Sequence, residues 1–579
     1  MPKLRSAQDG DERMGTRAIR GIARRPRLVE GVGVAVGSIF SAIAFTWPLV
    51  LHLQTRARDQ FDAVFQAWTI DWVQYAVQHG RNLYDAPIFV PEKTTLAYSD
   101  TLMGVAIPTL PLRWLGMSPI GVLNVSLLLA FASSAAAAYL FVRLVTGSRV
   151  AAAVGGAGYA FGPFGALAAR HLHVAMRPGV PLAAAAAWWL AERARTGGRL
   201  VGPAATLVAV IAWQATVSFY PATYAVVAAI VVLAVRLRSL GRRGLVAAGG
   251  SLAAAGGVCL LLAIPNIVVA ARHPSYQRPL AEFGPLGANF ARVEPGLVVW
   301  GGVLRHNPSD IPSAAFPGAT LLAVALVGAV VGWRVGGRFR TAAMIGLALT
   351  GVGAIVAVGT AANGWRQYAP YRLLFVMGPP FNALRDTARG WMIGLCGLGL
   401  LAGIGAHALV AWIRPRVKAP SVVVPAVVGA VLVALVLLEG YDPWDDRPSV
   451  RVPAVDVALA RRSGSGGVVY LPMAPTDRAS LAIFTQPSNL YGETQHHRPT
   501  LNGYSGYVPP SYPKLSRALW SLPSSRALTL LRKLGIRYVV VHPSVGGGPW
   551  SRLLSPSAAA PLRHLGVFEN DQLYEVPAS

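Results

Sequence analysis

The stretch RDQFDAVFQAWTIDWVQY (58–75) follows closely on GVGVAVGSIFSAIAFTWPLVLHL (31–53), the first long apolar run of the chain. The apolar run is long enough to cross a bilayer as a helix. The stretch behind it sets three acids, Asp59, Asp62 and Asp71, among tryptophans within about four helical turns. Apolar runs of about 18 to 25 residues, the length of a membrane crossing, recur as far as position 440. Of 579 residues, 54% are hydrophobic and 13% charged, where a soluble protein carries roughly a quarter charged residues. The chain therefore reads as mostly α, a polytopic transmembrane helical bundle.

The net charge of +27 does not imply nucleic-acid binding. The basic residues fall in short loops between apolar runs, as the positive-inside rule expects, and no soluble segment carries a basic stripe with interleaved aromatics. Arg exceeds Lys, and Ala, Gly, Val and Pro abound, which fits a GC-rich bacterial genome. The arm 1–30 is expected in the cytoplasm. The run after it shows no small-residue cleavage site and reads as an uncleaved signal anchor, with a helix expected over about 31–53. TLMGVAIPTLPLRWLG (101–116) is short and broken by prolines, so it is expected to be interfacial or re-entrant rather than spanning. With that choice ERARTGGR (192–199), RLRSLGRRG (236–244), WRVGGRFR (333–340) and WIRPRVK (412–418) all fall inside. The result is about 11 spans in a transmembrane domain over 31–440. The first outer loop (54–118) and the tail (441–579) are then extracytoplasmic, in a bacterial plasma (inner) membrane.

The tail changes composition. GVVYLPM (467–473), IRYVVVHP (536–543) and QLYEV (572–576) read as strands. SSRALTLLRKLG (524–535) reads as a helix, so 441–579 is expected to be a small α/β domain. Cys259 and Cys396 lie in apolar helices and read as packing residues.

Read as a helix, DQFDAVFQAWTIDWVQY puts Asp62, Phe65, Gln66 and Thr69 on one side. Phe61, Phe65, Trp68 and Trp72 form an apolar stripe. A helix lying on the outer surface, aromatics in lipid and acids in a cavity, fits both patterns; so does an amphipathic helix whose acids are merely solvated. NLYDAPIFVPEKTTLAYSD (82–100) adds Asp85, Glu92 and Asp100, the last a candidate acid or a simple helix cap. ARHLHVAMRPG (169–179) offers His171, His173 and Arg177, as a phosphate cradle or as HxH ligands for a divalent metal. PYRLLFVMGPPFNALRDTARGW (370–391) places Arg372, Arg385 and Arg389 on the outer side against the charge rule. They suit a lipid-carrier phosphate or pairing with acids. No Walker loop, GxSxG elbow or HExxH is present.

DAVFQAWTIDW resembles the first outer loop of bacterial membrane proteins of the GT-C glycosyltransferase superfamily. LYDAPIFVPEKTTLAYSD, AAFPGATLL (314–322), the 370–391 stretch, RPTLNGYSGYVPPSYPKL (498–515) and LRKLGIRYVVVHP (531–543) resemble that group in the same order, from about 40 to the end of the chain. The wider superfamily includes protein O-mannosyltransferases and the aminoarabinose transferases of lipid A. The resemblance implies transfer of a sugar from a polyprenyl-phosphate donor to a glycan, lipid or protein acceptor on the outer face. It implies Asp62 as the catalytic or metal-binding acid and Asp100 as the acid at the end of the loop. The acid pair of the mannosyltransferase branch is absent, and Thr101 stands where the nearest group has His. His171, His173, Arg177, Arg372 and Arg385 are then the donor-phosphate candidates, and Asp59, Trp68 and Tyr220 the remaining substrate-binding ones. No cofactor is assigned, and a divalent metal is left open. The alternatives are a non-catalytic GT-C-fold envelope-assembly or binding protein, and a transporter or flippase of lipid-linked glycans. NGYSGYVPPSY (502–512) is either an acceptor contact or an ordinary loop.

Overall fold

The computed structural model describes residues 28–273, 287–304, 313–361, 364–377, 384, 386–444, 447–473, 479–545 and 548–578. The first helix, α1 (Leu28–Phe45), stops short of the expected residue 53. Pro48 cannot donate the backbone hydrogen bond a continuing helix needs, and the chain goes on as a short 3-10 turn over Leu49–Leu51. Helix α2 (Asp62–Gln78) belongs to the polar loop that follows. TLMGVAIPTLPLRWLG breaks at its prolines into Met103–Ala106 and Leu110–Trp114, each too short to cross a bilayer.

The bundle continues with α3 (Pro119–Thr146), α4 (Arg149–Ala160), α5 (Gly179–Arg195), α6 (Val201–Val217) and α7 (Phe219–Val235). It is completed by α8 (Leu237–Arg272), α9 (Ala319–Val335), α10 (Gly337–Val358), α11 (Trp391–Ile413) and α12 (Val423–Gly440). Among the described residues, six helices (α1, α3, α8, α10, α11 and α12) are long and apolar enough to cross a membrane. Helices α6, α7 and α9 are shorter and apolar. An expected count of about eleven needs these and also α4 and α5. The molecule is a multi-pass membrane protein of the mostly helical class.

Helix α11 is its axis: 83% of its most apolar window is buried, against 11% for α8. It packs on α4, α9 and α10. Glycines allow the approach. A Cβ on Gly399 would lie 2.7 Å from the Gly155 carbonyl, and one on Gly155 would lie 2.6 Å from the Gly399 carbonyl. Small residues at such crossings let helix backbones touch in lipid. Cys396 is buried in α11 and Cys259 is half-buried in α8, both as free thiols.

The tail carries a four-stranded sheet of β1 (Gly467–Leu471), β2 (Ile536–Val541), β3 (Arg563–Phe568) and β4 (Asp571–Glu575), in the order β1-β2-β4-β3. The first pair is parallel, crossing over through Ser511–Ala518 and Ser525–Lys533; the others are antiparallel. The β-branched run IRYVVV suits a buried strand. Strand β3 was not among the expected strands. Its register shifts between His564 and Gly566, its Gly566 has φ 141°, and it is largely exposed, so no alternation marks it.

The polar loop and the tail interlock. Thr500 bridges to Val468 of β1. Its own N–H donates to the Pro87 carbonyl at 2.8 Å and its carbonyl accepts from Val90 at 3.1 Å, while Phe89 N–H donates to the Asn502 carbonyl at 3.0 Å. The loop thus extends the edge of the tail's sheet. At the other end, Val450 N–H donates to the Thr55 carbonyl at 2.8 Å, and Arg58 forms a buried ion pair with Asp442. Helix α2 is held between α3 and the tail's helix Ala479–Glu493. The lipid-facing stripe is therefore corrected: Phe65, Trp68 and Trp72 are all buried in protein. Apolar periodicity marks a covered face but does not distinguish lipid from a second part of the same chain.

Candidate active site around Asp62

Helix α2 begins at Asp62 because Asp59, three residues earlier, accepts the backbone N–H groups of Phe61 at 2.8 Å and Ala63 at 3.2 Å. An acid at a helix start satisfies free donors and suits the helix dipole. Asp59, a substrate-binding candidate, is thus occupied in starting the helix.

Asp62 then points away from the helix start with both oxygens engaged. His171 Nε2 lies 2.8 Å from Oδ2, and the Tyr504 hydroxyl donates to Oδ1 at 2.7 Å. One turn on, Gln66 accepts the Leu172 backbone N–H at 2.5 Å. The i, i+4 pair of α2 therefore fixes segment 171–172 across its first turns. The Asp62 side chain keeps 39% of its surface accessible. Burial by its neighbours pushes the carboxyl up, but the hydrogen bond and charge of His171, with Tyr504, outweigh it and hold Asp62 well below the usual carboxylate range.

A second layer lies behind. Arg389 Nη1 donates to His173 Nε2 at 2.9 Å. That makes this nitrogen the acceptor and the imidazole neutral. Burial first, then the charge of Arg389, push the His173 pKa well below the ordinary imidazole value, in agreement. Asp100 approaches the same nitrogen at 3.7 Å, but a neutral ring makes no ion pair with it. Arg389 also donates to Asp386 at 3.0 Å and lies 4.7 Å above the Tyr220 ring. The His171 and His173 rings are 5.5 Å apart and join the two layers.

The structure thus brings together Asp62, Asp100, His171, His173 and Tyr220. Arg177 does not join them. It is 1% exposed, lies 5.3 Å from the Tyr159 ring and 5.1 Å from the Phe164 ring, and donates to the Tyr159 carbonyl at 3.1 Å. As a phosphate ligand it is corrected to a packed cation. Trp68 is corrected likewise: it is 2% exposed and its Nε1 donates to Glu493 at 2.5 Å. Burial pushes Glu493 well above the usual carboxylate range, so it meets the indole without a bare charge. Arg372 is half-buried in the helix Tyr371–Val376. Arg385 lies outside the described residues.

One member, Tyr504, was missing from the candidates, and Arg389 stood among them only as one of three outer arginines. Arg389 was visible as an arginine against the charge rule. Tyr504 stood in a Tyr/Gly-rich loop with nothing to say which tyrosine would reach α2. The metal alternative fits poorly. Among the described residues no group of three or more His, Cys, Asp or Glu is placed to hold an ion, and the His173 Nε2 lone pair already receives Arg389.

The other end of α2 differs. Asp71 is bonded to Arg113 and to His497, both at 2.9 Å, and a cavity of about 410 Å³ opens nearby between Trp72, Arg81, Asp85, Lys93 and His497.

No protein-family model and no curated protein sequence matches the chain. Solved structures do. The archaeal oligosaccharyltransferase AglB from Archaeoglobus fulgidus, in complex with an inhibitory peptide and a dolichol-phosphate, is similar with a TM-score of 0.46 and 10% identity, over 95% of this chain and 76% of that one. ArnT from Cupriavidus metallidurans is similar in its apo state, with a TM-score of 0.47 and 11% identity over 96% of this chain and 99% of that one. ArnT bound to undecaprenyl phosphate gives a TM-score of 0.42 and 12% identity, over 96% and 98%. The likeness is one of general architecture at low identity, and nothing about activity follows from it.

Proposed function

We propose that the chain is an integral membrane glycosyltransferase, moving a sugar from a polyprenyl-phosphate donor to an acceptor on the outer face of the bacterial plasma membrane. The observation that supports this most is the accessible Asp62 carboxylate, oriented by His171 at 2.8 Å with Arg389 in the layer behind. It agrees with the resemblance of the loop to the GT-C superfamily, in which this acid is the reactive one. Asp62 is the general base for the acceptor hydroxyl. It is ionised at neutral pH, and its low pKa makes it a weak base that depends on close placement of its substrate. Arg389, which bonds His173 in the layer behind, and Arg372 are the candidates to meet the leaving phosphate. Asp100 acts through its charge on Arg389 as a positioning residue. The first polar loop and the tail are the extracytoplasmic parts in this reading.

A second reading, a non-catalytic protein of the same fold, is favoured by one observation. Both Asp62 oxygens already have protein donors, as in a purely structural carboxylate. The two readings separate in membranes that overproduce wild type or Asp62→Asn at equal abundance, offered radiolabelled polyprenyl-phosphate sugars. The enzyme reading expects acceptor labelling by wild type and a loss of about 100-fold or more in the variant. Equal labelling by both would sink it.

A further inference from the structure

The hydroxyl on Asp62 Oδ1 comes from the far end of the chain. Tyr504 donates to it at 2.7 Å, and its ring packs edge-on against Phe65 of α2 at 5.2 Å. The segment that carries it is clamped on both sides by the first loop. A Cβ on Gly503 would lie 2.6 Å from the Phe89 ring, and one on Gly506 would lie 3.0 Å from the Tyr98 carbonyl. Tyr507 packs edge-on against Tyr98 at 5.2 Å. Tyr504 stands between these two anchors, over the one side chain of the site with substantial open surface.

A general base takes a proton from a hydroxyl held about 2.6 to 3.2 Å away. The phenol already satisfies that requirement, with the right group, donor sense and distance. We propose that the Tyr504 hydroxyl occupies the acceptor-hydroxyl subsite, and that an acceptor alcohol enters by displacing it. This rests on Asp62 as the base. In the step itself the acceptor O–H bond breaks and its proton goes to Asp62 Oδ1. The acceptor oxygen bonds to the sugar's anomeric carbon, and the bond from that carbon to the phosphate oxygen breaks with its electron pair on the phosphate. Displacing the phenol has a second effect. A phenol is a stronger hydrogen-bond donor than an aliphatic alcohol, so exchanging one for the other leaves Asp62 Oδ1 the stronger base as the acceptor arrives. Until then the phenol holds Oδ1 against water, the smallest competing acceptor.

Tyr504→Phe keeps the ring against Phe65 and removes the hydroxyl. Two measurements on the full chain in detergent, at equal abundance, test the idea. The first needs no activity: carbodiimide coupling of a small amine to Asp62, read by peptide mass spectrometry. The second is release of free sugar from a radiolabelled polyprenyl-phosphate sugar without acceptor. Both should rise about 3- to 10-fold in Tyr504→Phe, the range for loss of one hydrogen bond. Equal Asp62 labelling in both proteins, with transfer that still needs Asp62, overturns the proposal and leaves the base intact. Faster labelling without any use of donor by either protein removes the base reading, and the proposal with it. Slower sugar release in Tyr504→Phe would make the phenol a participant in the reaction, and would also overturn its role as a placeholder.

Discussion

Helix α2 carries two carboxylates, each facing a histidine, at 2.8 Å for Asp62 and 2.9 Å for Asp71. The two ends have different uses. Asp71 keeps 4% of its side-chain surface and has a resident cation, Arg113, at 2.9 Å. Its His497 stacks on Tyr75 with centroids 3.8 Å apart. Asp62 keeps 39% and has a neutral phenol as its second partner. A carboxylate with a fixed counter-charge and no opening holds parts together. One with a displaceable neutral donor and an opening is able to exchange partners.

The contrast breaks most directly by neutralising each acid. Asp62→Asn should cost about 100-fold or more of transfer, with a smaller loss of melting temperature in detergent because the bonds it gives up are partly exposed. Asp71→Asn should do the reverse. Losing one partner of a buried pair costs about 3 kcal/mol, reduced where the other partner touches solvent as Arg113 does. Its transition should come several degrees earlier, with the transfer rate per folded molecule largely kept. A loss of rate without loss of stability in Asp71→Asn would remove the distinction.

Arg389→Lys sharpens the picture of the open end. Lysine keeps the charge but cannot serve His173, Asp386 and the Tyr220 ring at once. Transfer should fall about 10- to 100-fold at saturating acceptor. An unchanged rate would leave Arg389 as a mere partner of Asp386.

The smallest expected effects concern pH. Asp62 sits well below the usual carboxylate range, so its bonds stabilise the fold above about pH 4, and that contribution is lost as pH falls further. Between pH 5 and 8 the transfer rate should show no inflection from Asp62. His173 has the same sign from another cause: its folded pKa is depressed, while the unfolded chain takes the proton near 6.5. Stability should therefore decline as pH falls below about 6.5, by at most about 1.4 kcal/mol per pH unit for one group. His173→Gln should flatten that slope, and an unchanged slope would mean the ring is protonated in the folded protein.

Much of this arrangement was legible in the sequence for local reasons. Apolar run length marked the long helices, and the prolines of 101–116 marked a segment that does not cross. IRYVVV declared a strand by its branched side chains. Asp62 and the His171–His173 pair stood out because polar groups are conspicuous in so apolar a chain. What stayed hidden was long-range. Nothing near Asp62 in sequence names Tyr504, and nothing near Asp71 names His497. Arg177 looked like an anion ligand because its cover, Tyr159 and Phe164, lies in the preceding helices. Trp68 looked like a membrane anchor because its true neighbour, Glu493, is in the tail.

The sheet edge shared by residues 87–90 and 500–502 has a consequence for how the chain is threaded. Strands cannot pair through a bilayer, so the loop after α1 and the tail after α12 share one face of the membrane. The buried Arg58–Asp442 pair says the same. The number of crossings between residues 58 and 442 must then be even. Of the six long helices one precedes residue 58, which leaves five, an odd number. With those five crossing, parity asks that an odd number of the shorter described helices α4, α5, α6, α7 and α9 cross as well, and all five doing so satisfies it.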